Sequence, residues 1–199
     1  MHAPQLLHTL SPVPFFMVWN SVLAVVPLGL ALVLFRPGRR GAGPGWWAGV
    51  VLFLVMLPNA PYVLTDVVHL VDEAHGGVLI RTLALYSGFF AFGMLVYTLS
   101  VARFIAHLRR AGASIATLVA AEVGLHGLVA IGVLIGRYGR WNSWDLGTRP
   151  LSVIVDSAGW ASPRAVVAAA LLAFGIGAIA ITLRLAARGL AGLIQARAA

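Results

Sequence analysis

The residues of this chain that could do chemistry lie mainly in two hydrophilic stretches that follow apolar runs. The first stretch extends from Leu57 to Leu70 and contains Asp66 and His69, which share a face if the segment is helical because they are three residues apart. A carboxylate and an imidazole at this spacing are suited to proton transfer. We therefore predict that Asp66 and His69 are the catalytic residues if the protein is an enzyme.

The second stretch extends from Gly136 to Asp145 and contains Arg137 and Arg140, again three residues apart. Guanidinium groups bind phosphate or carboxylate through two parallel hydrogen bonds, and neighbouring tryptophans can flank such a ligand. The Trp19-Asn20 pair adds a further polar position within an apolar run. The predicted ligand-binding residues are Asn59, Tyr62, Arg137, Arg140, Trp141, Asn142, Trp144, Asp145, Trp19 and Asn20.

Both stretches also have a purely structural explanation. Prolines inside a membrane helix free backbone carbonyls, which Asn59 could satisfy next to Pro58 and Pro61. Asp66 could cap a short helix. Tryptophans and a nearby arginine are typical of the membrane–water interface. Binding and structural roles are therefore both open at this point.

Glu122 and His126 form a third polar pair, four residues apart and near the middle of an apolar run. Together with Asp66 and His69 they would make two carboxylates and two imidazoles, a set of metal-ligand types. Their spacing is generic, and a hydrogen bond between Glu122 and His126 explains it more simply. We predict no metal and no other cofactor.

The composition identifies the environment in which these residues must act. The chain has 199 residues, of which 60% are hydrophobic and 10% charged, and its mean hydropathy is +0.93. Soluble domains contain about 25% charged residues. All 14 basic residues are arginines, clustered at the ends of apolar runs, which indicates membrane topology rather than nucleic-acid binding. The absence of cysteine excludes disulfides and thiolate chemistry.

The pattern predicts an all-α fold, a polytopic transmembrane helical bundle that forms one integral membrane domain over residues 1–199. About 20 apolar residues cross the hydrocarbon core. The five predicted spans lie near residues 13–35, 46–64, 79–101, 114–136 and 163–185. We expect Pro58 and Pro61 to break the second helix, and a short interfacial helix to form in the 146–160 loop.

The arginines predict an orientation. Nine of them would lie in the loops after the first and third spans and in the C-terminal tail, and five on the other side. The excess of positive charge marks the cytoplasmic side, so the N-terminus is expected outside and the C-terminus in the cytoplasm, in the plasma (cytoplasmic) membrane of a bacterium. Two spans separate the hydrophilic stretches, so both end at the same membrane face, predicted to be the outer one.

Three sequence segments together resemble a bacterial membrane family known only as domain of unknown function (DUF) 1361. The segments are Trp19-Asn20 followed by Pro27, Leu57–Tyr62 continuing through Thr65-Asp66 and His69-Leu70, and Gly136-Arg137 continuing through Arg140–Asp145. The resemblance covers roughly residues 15–155. It implies a polytopic membrane protein and no established activity.

Three classes of function are compatible with these residues. The leading hypothesis is an outward-facing polar pocket that binds or modifies an anionic lipid or isoprenoid-phosphate head group, with membrane lipids as partners. The alternatives are a small-solute or proton-coupled transporter and an accessory or assembly subunit of a membrane complex, with a homo-oligomer or a membrane-protein partner. No nucleophile motif is visible, so the sequence leaves open whether the protein is an enzyme.

Overall fold

The structure, a computed structural model, describes residues 15–38, 43–67, 70, 79–159 and 161–198. Every regular element in these ranges is helical. The elements are α1 (Phe15–Leu34), α2 (Pro44–Met56), α3 (Asn59–Tyr62), a 3₁₀ turn (Val63–Asp66), α4 (Leu79–Arg110), α5 (Ile115–Gly139), α6 (Asp145–Thr148), α7 (Pro150–Gly159) and α8 (Pro163–Ala198). Proline starts α2, α7 and α8, where its missing N–H leaves no helical bond unmade.

Five segments are long and apolar enough to cross a membrane, which confirms the predicted class of fold. These segments are Phe15–Leu34, Pro44–Asp66, Ile80–Arg110, Ile115–Gly139 and Pro163–Ala196. All five segments contribute fully buried residues to the shared core, among them Ala31, Phe53, Tyr97, Val129 and Ile176.

The predicted break in the second span is present at Leu57 and Pro58, where the α-helical hydrogen bonding gives way to a turn, α3 and the 3₁₀ turn. Proline lacks a backbone N–H, so carbonyls in the preceding turn lose their helical partner. The Asn59 side-chain amide donates to the Met56 carbonyl oxygen at 2.9 Å. The hydroxyl of Thr65 donates to the Tyr62 carbonyl oxygen at 2.8 Å. The broken segment therefore satisfies part of its backbone internally.

Two glycines allow neighbouring helices to approach this broken segment. A Cβ atom at Gly132 of α5 would lie 2.5 Å from Cγ of Pro58. A Cβ atom at Gly93 of α4 would lie 2.6 Å from the Ala60 carbonyl oxygen. Small residues at helix crossings permit such close packing in membrane proteins. The broken segment is consequently packed closely against both α4 and α5.

Two helices extend well beyond their predicted ends. The spans predicted near 79–101 and 163–185 belong to helices that continue to Arg110 and Ala198. The arginines expected in the loop after the third span, Arg103, Arg109 and Arg110, therefore lie on α4. A helix of 32 residues is about 48 Å long, more than the roughly 30 Å of hydrocarbon. The ends of the apolar runs are not the ends of the helices.

The loop predicted to hold a short helix contains two, α6 and α7. The N-terminus of α8 is capped by Ser162, whose hydroxyl accepts a hydrogen bond from the Ala165 backbone N–H at 3.2 Å. An N-cap of this kind satisfies one of the unpaired donors of the first helical turn. These short elements cover one end of α5 and join it to the last span.

Candidate functional site

A cavity of about 630 Å³ lies at the end of the bundle where α1 begins, the second span is broken and α5 ends. Its walls combine aromatic, amide, carboxylate and guanidinium side chains. The residues that line it are Phe16, Trp19, Asn20, Leu23, Pro58, Asn59, Tyr62, Asp66, Gly132, Gly136, Arg137, Tyr138, Arg140, Trp141, Asn142 and Ser143. The structure therefore brings the two hydrophilic stretches and the Trp19-Asn20 pair to one cavity.

Asp66 is the buried carboxylate of this cavity, with only 3% of its surface exposed. The amide Nδ2 of Asn20 on α1 donates to its Oδ2 at 2.9 Å. A buried carboxylate is costly unless it accepts hydrogen bonds, so this contact offsets part of the cost of placing Asp66 at the break. His69, predicted to act with Asp66, lies outside the described residues, and its role stays a prediction.

Asn59 joins the two hydrophilic stretches directly. Its Nδ2 donates to the hydroxyl of Ser143 at 3.0 Å, across 84 residues of sequence. Beside it, the ring of Tyr62 packs against α5 where Gly136 leaves room, since a Cβ atom there would lie 3.1 Å from Cε2 of the ring. The cavity wall is thus continuous from the broken second span to the end of α5.

Arg137 and Arg140 supply the positive charge of the cavity. Arg137 is half-buried on the last turn of α5, and Arg140 is exposed immediately after it. Arg140 ends the helix in the left-handed region, with φ 55°, which is uncommon for a residue other than glycine. Neither guanidinium forms a hydrogen bond or ion pair with any residue in the described ranges. The guanidinium of Arg149, by contrast, donates to Oδ1 of Asp145 at 3.1 Å.

Asp145 has a structural position next to the cavity, outside its lining. Its Oδ2 accepts the Asn142 backbone N–H at 2.8 Å, and its Oδ1 accepts from Arg149. The hydrogen bond from the Asn142 backbone, followed by the contact with Arg149, holds the pKa of the Asp145 carboxyl below its usual range. The guanidinium carbon of Arg149 lies 5.3 Å from the ring centroid of Trp141. These contacts hold the loop that carries Trp141 to Ser143.

Trp144, also predicted to bind ligand, is half-exposed and likewise lies outside the lining of the cavity.

Glu122 and His126 belong to a different polar cluster, between α4, α5 and α8. Arg184 of α8 pairs with Oε1 of Glu122. Nδ1 of His126 is hydrogen-bonded to the hydroxyl of Tyr97 at 2.6 Å. Glu122 and His126 contact each other as expected, but His126 Nε2 lies 3.8 Å from Glu122 Oε1, longer than a hydrogen bond, and each residue has a closer partner.

Of the four residues considered as metal ligands, the three that the structure describes do not lie together. Asp66 lies in the cavity, and Glu122 and His126 lie in the other cluster. Within the described residues, no three histidine, aspartate or glutamate side chains are grouped closely enough to hold a metal ion.

The hydrogen-bonding and ion-pairing partners Ser143, Arg184 and Tyr97 were not predicted from the sequence as members of these two sites. Ser143 was part of the second stretch, and its position between Asn142 and Trp144 was the available signal. Arg184 was assigned to the C-terminal tail, and Tyr97 looked like any aromatic residue of an apolar helix. Only the packing of α8 and α4 against α5 shows that both are partners of the Glu122–His126 face.

The fold and the composition define a polytopic integral membrane protein. The chain belongs to the family described as "Protein of unknown function (DUF1361)", whose pattern matches residues 19–180. This match confirms the family that the three sequence segments indicated. Neither the curated proteins nor the solved structures contain a match to this chain.

Proposed function

We propose that the cavity binds the anionic head group of a membrane amphiphile, a lipid or an isoprenoid phosphate. The observation that carries this proposal is the pair Arg137 and Arg140, which line one cavity and have no acidic partner among the described residues. Guanidinium groups recognise phosphate through two parallel hydrogen bonds, and such charge-assisted bonds are about twice as strong as neutral ones. A phosphate would supply the ion-pair partner that no acidic side chain among the described residues provides for these two arginines.

The remaining walls of the cavity suit an amphiphilic ligand. Trp19 and Trp141 offer flat apolar surfaces with an N–H donor, and Tyr62 adds a hydroxyl. Asp66 is the acid–base candidate for any head-group chemistry, since Asn20 holds its carboxylate in place at the cavity wall. In this proposal His69 would assist Asp66, as its spacing predicts.

Lipid retention tests the proposal. Wild-type protein, Arg137→Gln and Arg140→Gln would be purified in mild detergent and their bound lipids identified by native mass spectrometry. Arg164→Gln is the matched control, because it removes one exposed arginine that does not line the cavity. We expect the two cavity variants to lose anionic lipids roughly tenfold, the effect of about 1.4 kcal/mol, and the control to keep them.

Two outcomes would contradict the proposal. Equal lipid retention in all four proteins would show that the arginines do not hold a head group. Loss of folded protein in both Arg137→Gln and Arg137→Lys would instead assign Arg137 a structural role, as expected of an accessory subunit whose polar residues only connect its helices.

The orientation that we propose places the cavity at the outer face and the C-terminus in the cytoplasm. It rests on the arginine distribution. Since the chain has no cysteine, single exposed cysteines on the two sides of α5, Ala111→Cys in the loop before it and Ser152→Cys on α7 after it, would report the topology. A membrane-impermeant maleimide should label the second variant in intact cells and the first only after lysis. The reverse pattern would invert the orientation.

A further inference from the structure

A second, apolar cavity of about 240 Å³ shares a wall with the polar cavity. The shared residues are Pro58, Gly132, Trp141, Asn142 and Ser143. Beyond this wall the lining is almost entirely aliphatic, and its principal residues are Leu54, Leu128, Ile131, Ile135, Leu146 and Val153. We call this apolar cavity the α2–α5 groove, after the helices that form its sides.

The α2–α5 groove opens sideways, toward the surface that faces lipid in a membrane. Ile131 is 53% exposed and Leu128 is 42% exposed, although both lie within a membrane-spanning segment. α6 and α7 close the end of the groove next to the loop 141–143, through Leu146 and Val153. A hydrocarbon chain could therefore enter from the bilayer while its polar end stays beside that loop.

We infer that the α2–α5 groove holds the hydrocarbon chain of the ligand whose anionic head group occupies the polar cavity. This inference rests on the proposed function and narrows it to a membrane-resident amphiphile, as opposed to a water-soluble phosphate. The continuity of the two cavities across Trp141, Asn142 and Ser143 supports it, since one molecule with a charged end and an apolar end matches both linings.

In a bilayer, the polar cavity and the α2–α5 groove contribute differently to ligand binding. Lipid tails are as apolar as leucine side chains, so a chain that moves from the bilayer into the groove gains little free energy. Affinity must then come from the head group at Arg137 and Arg140, because hydrogen bonds between charged groups are stronger than those between neutral ones. The groove determines where the chain lies rather than how tightly the ligand binds.

The molecule contains its own control for this inference. A larger apolar groove of about 750 Å³ lies between α1 and α4 and is lined by Val22, Val25, Ala84 and Gly88, among others. It shares no lining residue with the polar cavity. If lipid chains simply fill apolar grooves, the α1–α4 groove should be occupied at least as well as the α2–α5 groove.

Photo-crosslinking would test the inference. The full chain is reconstituted in phosphatidylcholine bilayers with a small fraction of phosphatidic acid that carries a diazirine in one acyl chain. After irradiation, mass spectrometry maps the adducts. We expect adducts on Leu54 and on residues 128–135 to exceed those on the α1–α4 groove roughly tenfold, and Arg137→Gln to abolish this excess. A phosphatidylcholine probe with the same diazirine chain should show no excess.

A variant that fills the groove provides an independent measurement. Ile131→Trp should reduce adducts on α5 and retention of long-chain phosphatidic acid roughly tenfold, while binding of dibutanoyl phosphatidic acid, which has too short a chain to need the groove, is unchanged. Val22→Trp, at a position 55% exposed in the α1–α4 groove, is the matched control. If Ile131→Trp reduces folded yield, the adduct map of the wild-type protein still shows which of the two grooves holds the acyl chain.

The possible failures are distinguishable. Equal labelling of the two grooves, with anionic lipid retention still dependent on Arg137, would overturn this inference and leave the head-group proposal standing. If neither the labelling of the groove nor the retention of anionic lipid depends on Arg137, both this inference and the head-group proposal are overturned. Binding of inorganic phosphate with no preference for long-chain phosphatidic acid would show that the ligand is a soluble anion.

Discussion

Asn20 and Asp66 are joined by a hydrogen bond of 2.9 Å between the Asn20 amide and the Asp66 carboxylate, which connects the first span to the break in the second. The two residues are 46 positions apart, and Asp66 is 3% exposed. This contact adds a polar link to the packing of α1 against the broken segment. It also places the carboxylate at the wall of the polar cavity.

Removing the amide should therefore destabilise the bundle. We expect Asn20→Ala to lower the free energy of unfolding by about 1–3 kcal/mol, since a buried acceptor loses a donor. A double-mutant cycle with Asp66→Ala, followed by thermal unfolding in detergent, isolates this contact from other interactions of Asp66. Strict additivity of the two single changes would show that the hydrogen bond contributes nothing.

Gly132→Ala should separate α5 from the broken segment, because the new Cβ atom would lie 2.5 Å from Cγ of Pro58. We expect a loss of about 1–3 kcal/mol in unfolding free energy, as for other overpacked positions. Gly124→Ala on the same helix is the matched control, since a Cβ atom there meets nothing within 4 Å. The control should be neutral or slightly stabilising, given the higher helix propensity of alanine. Equal effects at both glycines would contradict the close crossing.

Arg140→Gly should change stability and ligand binding in opposite directions. Arg140 has a left-handed backbone conformation, φ 55°, which costs about 1 kcal/mol or more for an L-residue with a Cβ atom and almost nothing for glycine. We expect a higher midpoint of thermal unfolding together with weaker retention of anionic lipid. Parallel loss of both properties would show that the guanidinium stabilises the fold.

Replacing Arg184 alone should destabilise the protein more than replacing both members of the Glu122–Arg184 ion pair. Arg184→Met leaves the Glu122 carboxyl without its partner in the apolar bundle, and we expect a loss of roughly 1–2 kcal/mol. The double variant Glu122→Met/Arg184→Met should recover most of this loss. Arg188→Met, which removes an exposed arginine one turn further along α8, is the control for thermal unfolding in detergent. A double variant less stable than the single one would contradict the pairing.

The lowered pKa of Asp145 predicts a dependence of stability on pH. The folded state favours the carboxylate, so its contribution is complete above the pKa of the unfolded chain, about 3.9, and is lost as the pH falls through the lower folded pKa. Asp145→Asn should therefore unfold at a lower temperature than the wild type at pH 7, and the difference should close as the pH falls below about 3.9. Asp156→Asn, at an exposed position, should show no such difference. A difference in unfolding temperature between Asp145→Asn and the wild type that persists at low pH would mean that the charge of Asp145 is not its cause.

Much of the fold follows from the sequence because the relevant free energies are local. Transfer of an apolar run into hydrocarbon depends on its own residues, and so the five spans and the break at Pro58 could be predicted without knowledge of the packing. Local signals also decided the start of α8, where Ser162 caps the helix before Pro163. The ends of α4 and α8 could not be predicted in this way, because helical hydrogen bonding continues after the apolar run has ended.

The partners of the polar residues were decided by the tertiary structure alone. Spacing along one helix shows which residues share a face, but not which neighbouring helix that face meets. Glu122 was expected to form a hydrogen bond with His126, which lies 3.8 Å away, and its closer partner is Arg184, 62 residues away in the sequence. Asn59 similarly reaches Ser143. The amino-acid sequence by itself determined that two hydrophilic stretches end at the same face of the bundle, and only the packing of α1, the broken segment and α5 placed them around one cavity.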